Sequence, residues 1–173
     1  MRRNAIVGLA LAAALVLAAQ ARTDTGDAWL TTKVKIALLT ADGVSASAVN
    51  VDSQEGTVTI HGKVKTEAEK AKAEAEARKV EGVKEVKNLL QVVPESEKKV
   101  VEATDDSVED GVKAALQADK ALDSIKVASV NKGVVLLKGK APDYNAKLKA
   151  IELTLATPGV KRVASEIETA PAK

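Results

Sequence analysis

Cysteine and phenylalanine are absent from this 173-residue chain, and there is one tryptophan (Trp29), one tyrosine (Tyr144) and one histidine (His61). Without cysteine there is no disulfide, no thiolate nucleophile and no zinc site built on sulfur. A single histidine excludes a multi-histidine metal cluster and confines imidazole catalysis to one position. Two aromatic rings cannot build a stacking platform for single-stranded nucleic acid. An excess of one charge is missing too: 26 Lys and Arg face 24 Asp and Glu, a net charge of +2. Nothing therefore draws the chain as a whole to a polyanion, and no nucleic-acid partner is expected. The length suits one or two small domains. What remains points to a binding or structural protein, with no catalytic residue, cofactor or metal expected.

The first segment reads as an address. Met1-Arg2-Arg3-Asn4 is basic, Ala5 to Ala19 is apolar, and Ala19-Gln20-Ala21 is an A-x-A site. That order is a secretory signal peptide over 1–21, cut after Ala21. The alternative is an uncleaved anchor, but the apolar run of 15 residues is short of the roughly 20 that a spanning helix needs. Losing Arg2 and Arg3 leaves 24 basic and 24 acidic residues. No later segment approaches spanning length, so a soluble, monomeric protein of the periplasm is expected, a compartment that suits a cysteine-free chain.

The rest is one unit written twice. Gly56-Thr57-Val58-Thr59-Ile60-His61-Gly62-Lys63 lines up with Gly133-Val134-Val135-Leu136-Leu137-Lys138-Gly139-Lys140 at an offset of 77. Gly82-Val83-Lys84-Glu85-Val86 matches Gly159-Val160-Lys161-Arg162-Val163 at the same offset, and Val34-Lys35 with Ala37-Leu38 matches Val112-Lys113 with Ala115-Leu116 at 78. The drift reads as a one-residue loop insertion. Two domains result, 27–93 and 105–168, joined by a polar linker over 94–104 that opens with Pro94.

Within each unit the hydrophobic period switches. Leu30, Val34, Ala37 and Leu38 recur at helical spacing, as do Val108, Val112, Ala115 and Leu116. Val49 and Val51 alternate, then Val58 and Ile60 alternate with Thr57, Thr59 and His61 as a half-buried strand. Thr66-Glu67-Ala68-Glu69 is a capping box, with Asp143 in the place of Thr66 in the second unit. The order helix, strand, strand, helix, strand predicts an α+β fold: two tandem αββαβ domains, each a three-stranded mixed sheet with two helices on one face.

Gly-x-Val-x-Ile/Leu-x-Gly, then a helix, then Gly-Val-x-x-Val, resembles the BON domain of bacterial envelope proteins, and the resemblance spans both repeats. Tandem BON domains behind an export signal are similar to soluble periplasmic members induced by osmotic stress. The resemblance implies a non-enzymatic role in the envelope, as phospholipid-surface binding or as assistance to exported proteins. Val86-Lys87-Asn88 follows the family pattern, whereas the second repeat has Val163-Ala164-Ser165.

The glycines read as structural. Gly56 and Gly133 open the central strand after a turn that needs φ > 0. Gly62 and Gly139 close it, and Gly82 and Gly159 follow a helix end. His61 occupies the outward phase of its strand and Lys138 is its counterpart, so the position reads as solvated and basic. Glu67, Glu69, Glu74 and Glu76 alternate with Lys70, Lys72, Arg78 and Lys79 as a solvated helix face. Asp105 to Asp110 read as the acidic first turn of a helix, where the macrodipole favours them.

The repeats are not equivalent. Residues 47–93 hold eight basic and eight acidic residues; 126–162 hold eight basic and two acidic ones, with six acids gathered in 105–123. Val134-Val135-Leu136-Leu137 is apolar on both faces, and such a strand must be covered by the other domain or by a ligand. The functional reading is a patch of Val134 and Leu136 rimmed by Lys132, Lys138, Lys140, Lys147 and Lys149, suited to an anionic phospholipid surface. The alternative is a chaperone-like or adaptor module that receives exported or outer-membrane proteins by strand addition.

Overall fold

The computed structural model describes residues 26–169. The signal-peptide reading over 1–21 lies outside the described residues. The first domain comprises helix α1 (26–40), β1 (Val49–Gln54), β2 (Thr57–Val64), α2 (Glu67–Arg78) and β3 (Glu85–Val92). The second comprises α3 (Lys98–Gln117), β4 (Ile125–Asn131), β5 (Val134–Ala141), α4 (Tyr144–Leu155) and β6 (Arg162–Thr169). A 3-10 turn precedes β1 and another precedes β4. This is the αββαβ order read from the sequence, twice.

Each sheet has the order edge–centre–edge, β1-β2-β3 and β4-β5-β6. The first pair is antiparallel because two residues of positive φ close a tight hairpin: Glu55 (53°) with Gly56 (85°), and Lys132 (51°) with Gly133 (80°). The second pair, β2 with β3 and β5 with β6, is parallel because a helix carries the chain back across the sheet. Gly82 and Gly159, just past α2 and α4, also have positive φ.

Two cores form between helices and sheets. Leu30, Val34 and Leu38 of α1 and Ala73 and Ala77 of α2 pack on Val58, Ile60 and Leu90. Val108, Val112 and Leu116 of α3 and Ala146 and Ala150 of α4 pack on Val135, Leu137 and Ile167. Gly62 is a close approach as well as a strand end: its φ is 136°, and a Cβ there would lie 2.0 Å from the Ala48 carbonyl oxygen. Gly139 stands in the same relation to Ser124.

Several expectations are corrected. The linker is shorter than 94–104, because α3 begins at Lys98. The acidic run is therefore mid-helix rather than in a first turn, and Asp105 is buried. The Thr66 hydroxyl accepts from Glu69 N at 3.1 Å as a capping box requires. The Glu69 carboxylate, however, accepts from Lys65 N (2.9 Å) and Ser45 N (2.6 Å), tying the helix start to the loop before β1. Burial pushes the Glu69 carboxyl up, and those two backbone donors more than offset it, holding it below the usual range. The offset drift is not a single loop insertion either. Val49 pairs with Gly62 and Ile125 with Gly139, so the loop before β4 is two residues shorter than its counterpart. A bulge between Val127 and Ser129 returns one of them.

Candidate functional site

The central strand β2 departs from half-burial. Thr59 and His61, on the face away from the helices, are 2% and 5% exposed. On β5 the corresponding face holds Val134 and Leu136, 9% and 1% exposed, and neither belongs to either helix-side core. The cause is that the bare faces of the two sheets are stacked on each other. Both edges of β2 are already paired, so its approach to β4 is through the sheet face. The two-sided apolar strand is thus covered by the other domain, one of the two occupants its composition allows.

Polar links cross this seam. Asp52 of β1 accepts from His61 Nε2 at 2.9 Å and from the ammonium of Lys138 on β5. Burial pushes the Asp52 carboxyl up, but those hydrogen bonds and charges outweigh it and lower it to about 2. Lys138 also lies 3.4 Å from Glu166. The Lys63 ammonium reaches Asp105 at 2.9 Å, the Lys132 ammonium donates to the Val92 carbonyl at 3.1 Å, and Gln54 donates to Glu168 at 3.0 Å. His61 is therefore a buried hydrogen-bond partner of Asp52, not a residue of a solvated face. Two buried side-chain polar atoms among the described residues lack a partner, His61 Nδ1 and Ser129 Oγ.

The residues read as a lipid or partner patch are not brought together. Val134 and Leu136 lie inside the seam, and Lys132 and Lys138 are engaged across it. Lys140 is exposed, 3.6 Å from Glu168. Lys147 donates to the Ile167 carbonyl at 2.7 Å, and Lys149 pairs with Asp119 at 2.6 Å. Among the described residues no group of three or more His, Cys, Asp or Glu could hold a metal ion.

Three features escaped the sequence reading. The first is a clasp repeated in both domains. Asp27 accepts from the backbone N–H of Glu55 (2.8 Å) and Gly56 (3.3 Å), and Asp105 from Lys132 (2.9 Å) and Gly133 (3.0 Å). Each pins the first helix of a repeat to its hairpin turn, and the shared spacing of the two Asp residues was the available signal. The second is Asn88, whose amide donates to the Lys70 carbonyl (3.2 Å) and to Glu74 (2.9 Å), joining β3 to α2. That bond, with Arg78, holds the Glu74 carboxyl below its usual range against burial.

The third is the outer face of α1. Trp29, Ile36 and Leu39 are 61%, 54% and 69% exposed, directly opposite Leu30, Val34 and Leu38. Lys33 and Lys35 share that side, with the Lys33 ammonium 6.0 Å from the Trp29 ring centre. No acid occurs from Ala28 to Thr40; Glu55, Glu81 and Lys84 flank the hollow at the Trp29 end. In the second repeat Ser107, Ala114 and Gln117 stand at the positions of Trp29, Ile36 and Leu39. A helical projection of 26–40 would have exposed the stripe.

A family model described as BON domain matches residues 26–94 and again 104–171. Osmotically-inducible protein Y of Escherichia coli (strain K12) is 32% identical over 146 residues, which cover 83% of this chain and 72% of that protein. Two solved structures of CdsD, a structural protein of the type III secretion system of Chlamydia trachomatis, are also similar. Its C-terminal domain shares 17% identity over 84% of this chain and 67% of that one, with a TM-score of 0.33. The other shares 12% over 83% and 93%, with a TM-score of 0.35.

Proposed function

The chain belongs to the BON-domain family, as two tandem copies, and from that premise we propose that it is an exported, non-enzymatic protein of the cell envelope that docks reversibly on anionic phospholipid. The observation that supports this reading is the α1 face: an exposed Trp, two exposed aliphatic residues and two lysines with no acid among them. This is the composition of a helix that lies in a membrane interface. No described helix is long and apolar enough to cross a membrane. Each lysine near an anionic surface contributes about 1 kcal/mol, and part-burial of three apolar side chains adds a comparable amount. The docking is therefore weak and salt-sensitive. Export rests on the 1–21 pattern, and the name of the Escherichia coli relative supports a part in osmotic stress. With Val134 and Leu136 inside the seam, lipid contact moves from the second domain to α1.

The test uses residues 22–173 with vesicles of increasing anionic lipid, at low and high salt. Trp29 is the only tryptophan, so its emission reports directly on the contact: a blue shift and quenching by brominated lipid are expected, lost in Lys33→Glu/Lys35→Glu. No binding at any composition, or binding without change at Trp29, overturns the reading. A second reading, an adaptor that takes a strand from an exported client, rests on the outer edges of β1, β3, β4 and β6, which neither sheet pairs. Client binding that is insensitive to salt, without vesicle binding, favours it.

A further inference from the structure

The two repeats serve as controls for each other at every exposed position. Helices α2 and α4 have the same length, and each is capped by a side chain at its third amide, from Thr66 and from Asp143. They bury the same three positions: Glu69, Ala73 and Ala77 in one, Ala146, Ala150 and Thr154 in the other. Their outer faces differ. Where α2 has Glu67, Ala71, Glu74 and Arg78, α4 has Tyr144, Leu148, Ile151 and Leu155. Tyr144, Leu148 and Leu155 are 63%, 40% and 52% exposed, and Ile151 is half-buried against the core. The fold thus stands without a large apolar residue at these sites, and the stripe needs another cause. Its spacing of four, three and four is that of a seam between two helices.

We propose that this face of α4 is a contact surface for a second copy of the same chain. Its charge argues against lipid. Lys147 is turned back onto the Ile167 carbonyl and Lys149 is held by Asp119, so among the described residues of α4 no free cation stands beside the stripe, unlike α1. Its pattern argues for self-pairing. A two-fold axis crossing the helix between Lys149 and Ala150 sets two α4 helices antiparallel. Tyr144 of one copy then lies over Leu155 of the other, and Leu148 over Ile151. On the open flank, Glu152 of one copy falls beside Asn145 of the other, an amide donor for its carboxylate. The arrangement is isologous, so it closes at two chains. Four side chains on a helix of three turns bury less than the roughly 1,200 Å² of a stable interface, so the dissociation constant is expected on the order of 100 μM.

The experiment is sedimentation equilibrium of residues 22–173, which contain both cores and the seam, from about 10 μM to about 1 mM, a span that brackets that constant. The average mass is expected to climb from one chain toward two. The triple variant Tyr144→Glu/Leu148→Ala/Leu155→Arg imports the residues that α2 already tolerates, and circular dichroism checks that it folds. It is expected to weaken association at least 10-fold, a loss of about 1.4 kcal/mol. In a separate arm, Leu148→Cys gives the chain its only thiol, and a short bismaleimide should join two copies, whereas Trp29→Cys on α1 should not cross-link. A single-chain mass at every concentration, association unchanged in the triple variant, or equal cross-linking at both positions overturns the proposal.

Discussion

Asp52 is the group on which the seam between the sheets can be tested most directly. Its carboxylate takes a proton donor from each side, His61 of its own sheet and Lys138 of the other, and it titrates at about 2 against an ordinary 3.8. Taken at face value that gap is worth about 2.4 kcal/mol. The Asp52 side chain is 32% exposed, so screening reduces the figure to about 1–2 kcal/mol. A carboxyl whose pKa is lowered in the folded state contributes its full stabilisation above its unfolded value and loses it as the pH falls toward the folded one. The window is therefore pH 4 down to pH 2. Asp52→Asn is expected to lower the unfolding free energy by about 1–2 kcal/mol at pH 7. At pH 2 the difference from the parent should nearly vanish, because the parent carboxyl is by then losing its charge. Urea unfolding followed by far-ultraviolet circular dichroism at pH 7, 4 and 2 measures both quantities. An equal deficit at all three values would mean that the substitution disturbs packing rather than an ion pair. No deficit at pH 7 would mean that the Asp52–Lys138 link does not hold the sheets together.

Two further substitutions probe the frame of the repeats. Gly62→Ala places a Cβ 2.0 Å from the Ala48 carbonyl oxygen at a φ of 136°; denaturant unfolding should register a loss of about 3 kcal/mol or more, and a loss below about 1 kcal/mol would mean the loop before β1 yields freely. Asp105→Asn should cost more than Asp27→Asn although both clasp a hairpin, because Asp105 is 3% exposed and also bonds Lys63 across the seam. Values of about 3 and about 1 kcal/mol are expected from the same unfolding curves, and equal costs would refute a seam role for Asp105.

The order of elements was legible because each leaves a local mark: a period of 3.6 in Leu30, Val34 and Leu38, alternation in Val58 and Ile60, and a glycine wherever the hairpin or strand end demands one. Duplication strengthened every mark, since a weak signal repeated at one spacing stops being weak. What escaped was what depends on the two domains together. Thr59 and His61 have the pattern of a solvated face, and nothing local to β2 tells that a second sheet lies over them. The apolar Val134 and Leu136 raised the question of a cover, but a composition that asks for burial does not say by what. Helix α3 ran seven residues further back than the linker reading because Lys98 to Thr104 are compatible with helix and only Pro94 forbids it. The α1 stripe is written in the sequence, but Trp29, Ile36 and Leu39 lie seven and three residues apart on a helix that is apolar on its buried side as well, so they stand out only on a helical projection.

A three-stranded sheet with helices on one side leaves its other face bare, so a single αββαβ unit cannot bury all of its sheet. Duplication answers this by placing one bare face on the other, which buries the outward residues of the two central strands, Thr59 and His61 on one and Val134 and Leu136 on the other. The residues free to vary without unfolding the protein are then those on the outer sides of the helices and on the strand edges. It is there that the repeats diverge most in character: Trp29, Ile36 and Leu39 against Ser107, Ala114 and Gln117 on the first helices, and Glu67, Ala71 and Arg78 against Tyr144, Leu148 and Leu155 on the second. Each stripe of large apolar residues has a twin of small or polar residues in the other repeat, so neither is a requirement of folding. The stripes also fall on non-equivalent helices of different domains, each on a layer facing away from the seam. A single partner that recognised the fold itself would have met equivalent helices. The divergence fits the two proposed partners, an anionic surface met by Lys33 and Lys35 of α1 and a second copy of the chain met by α4.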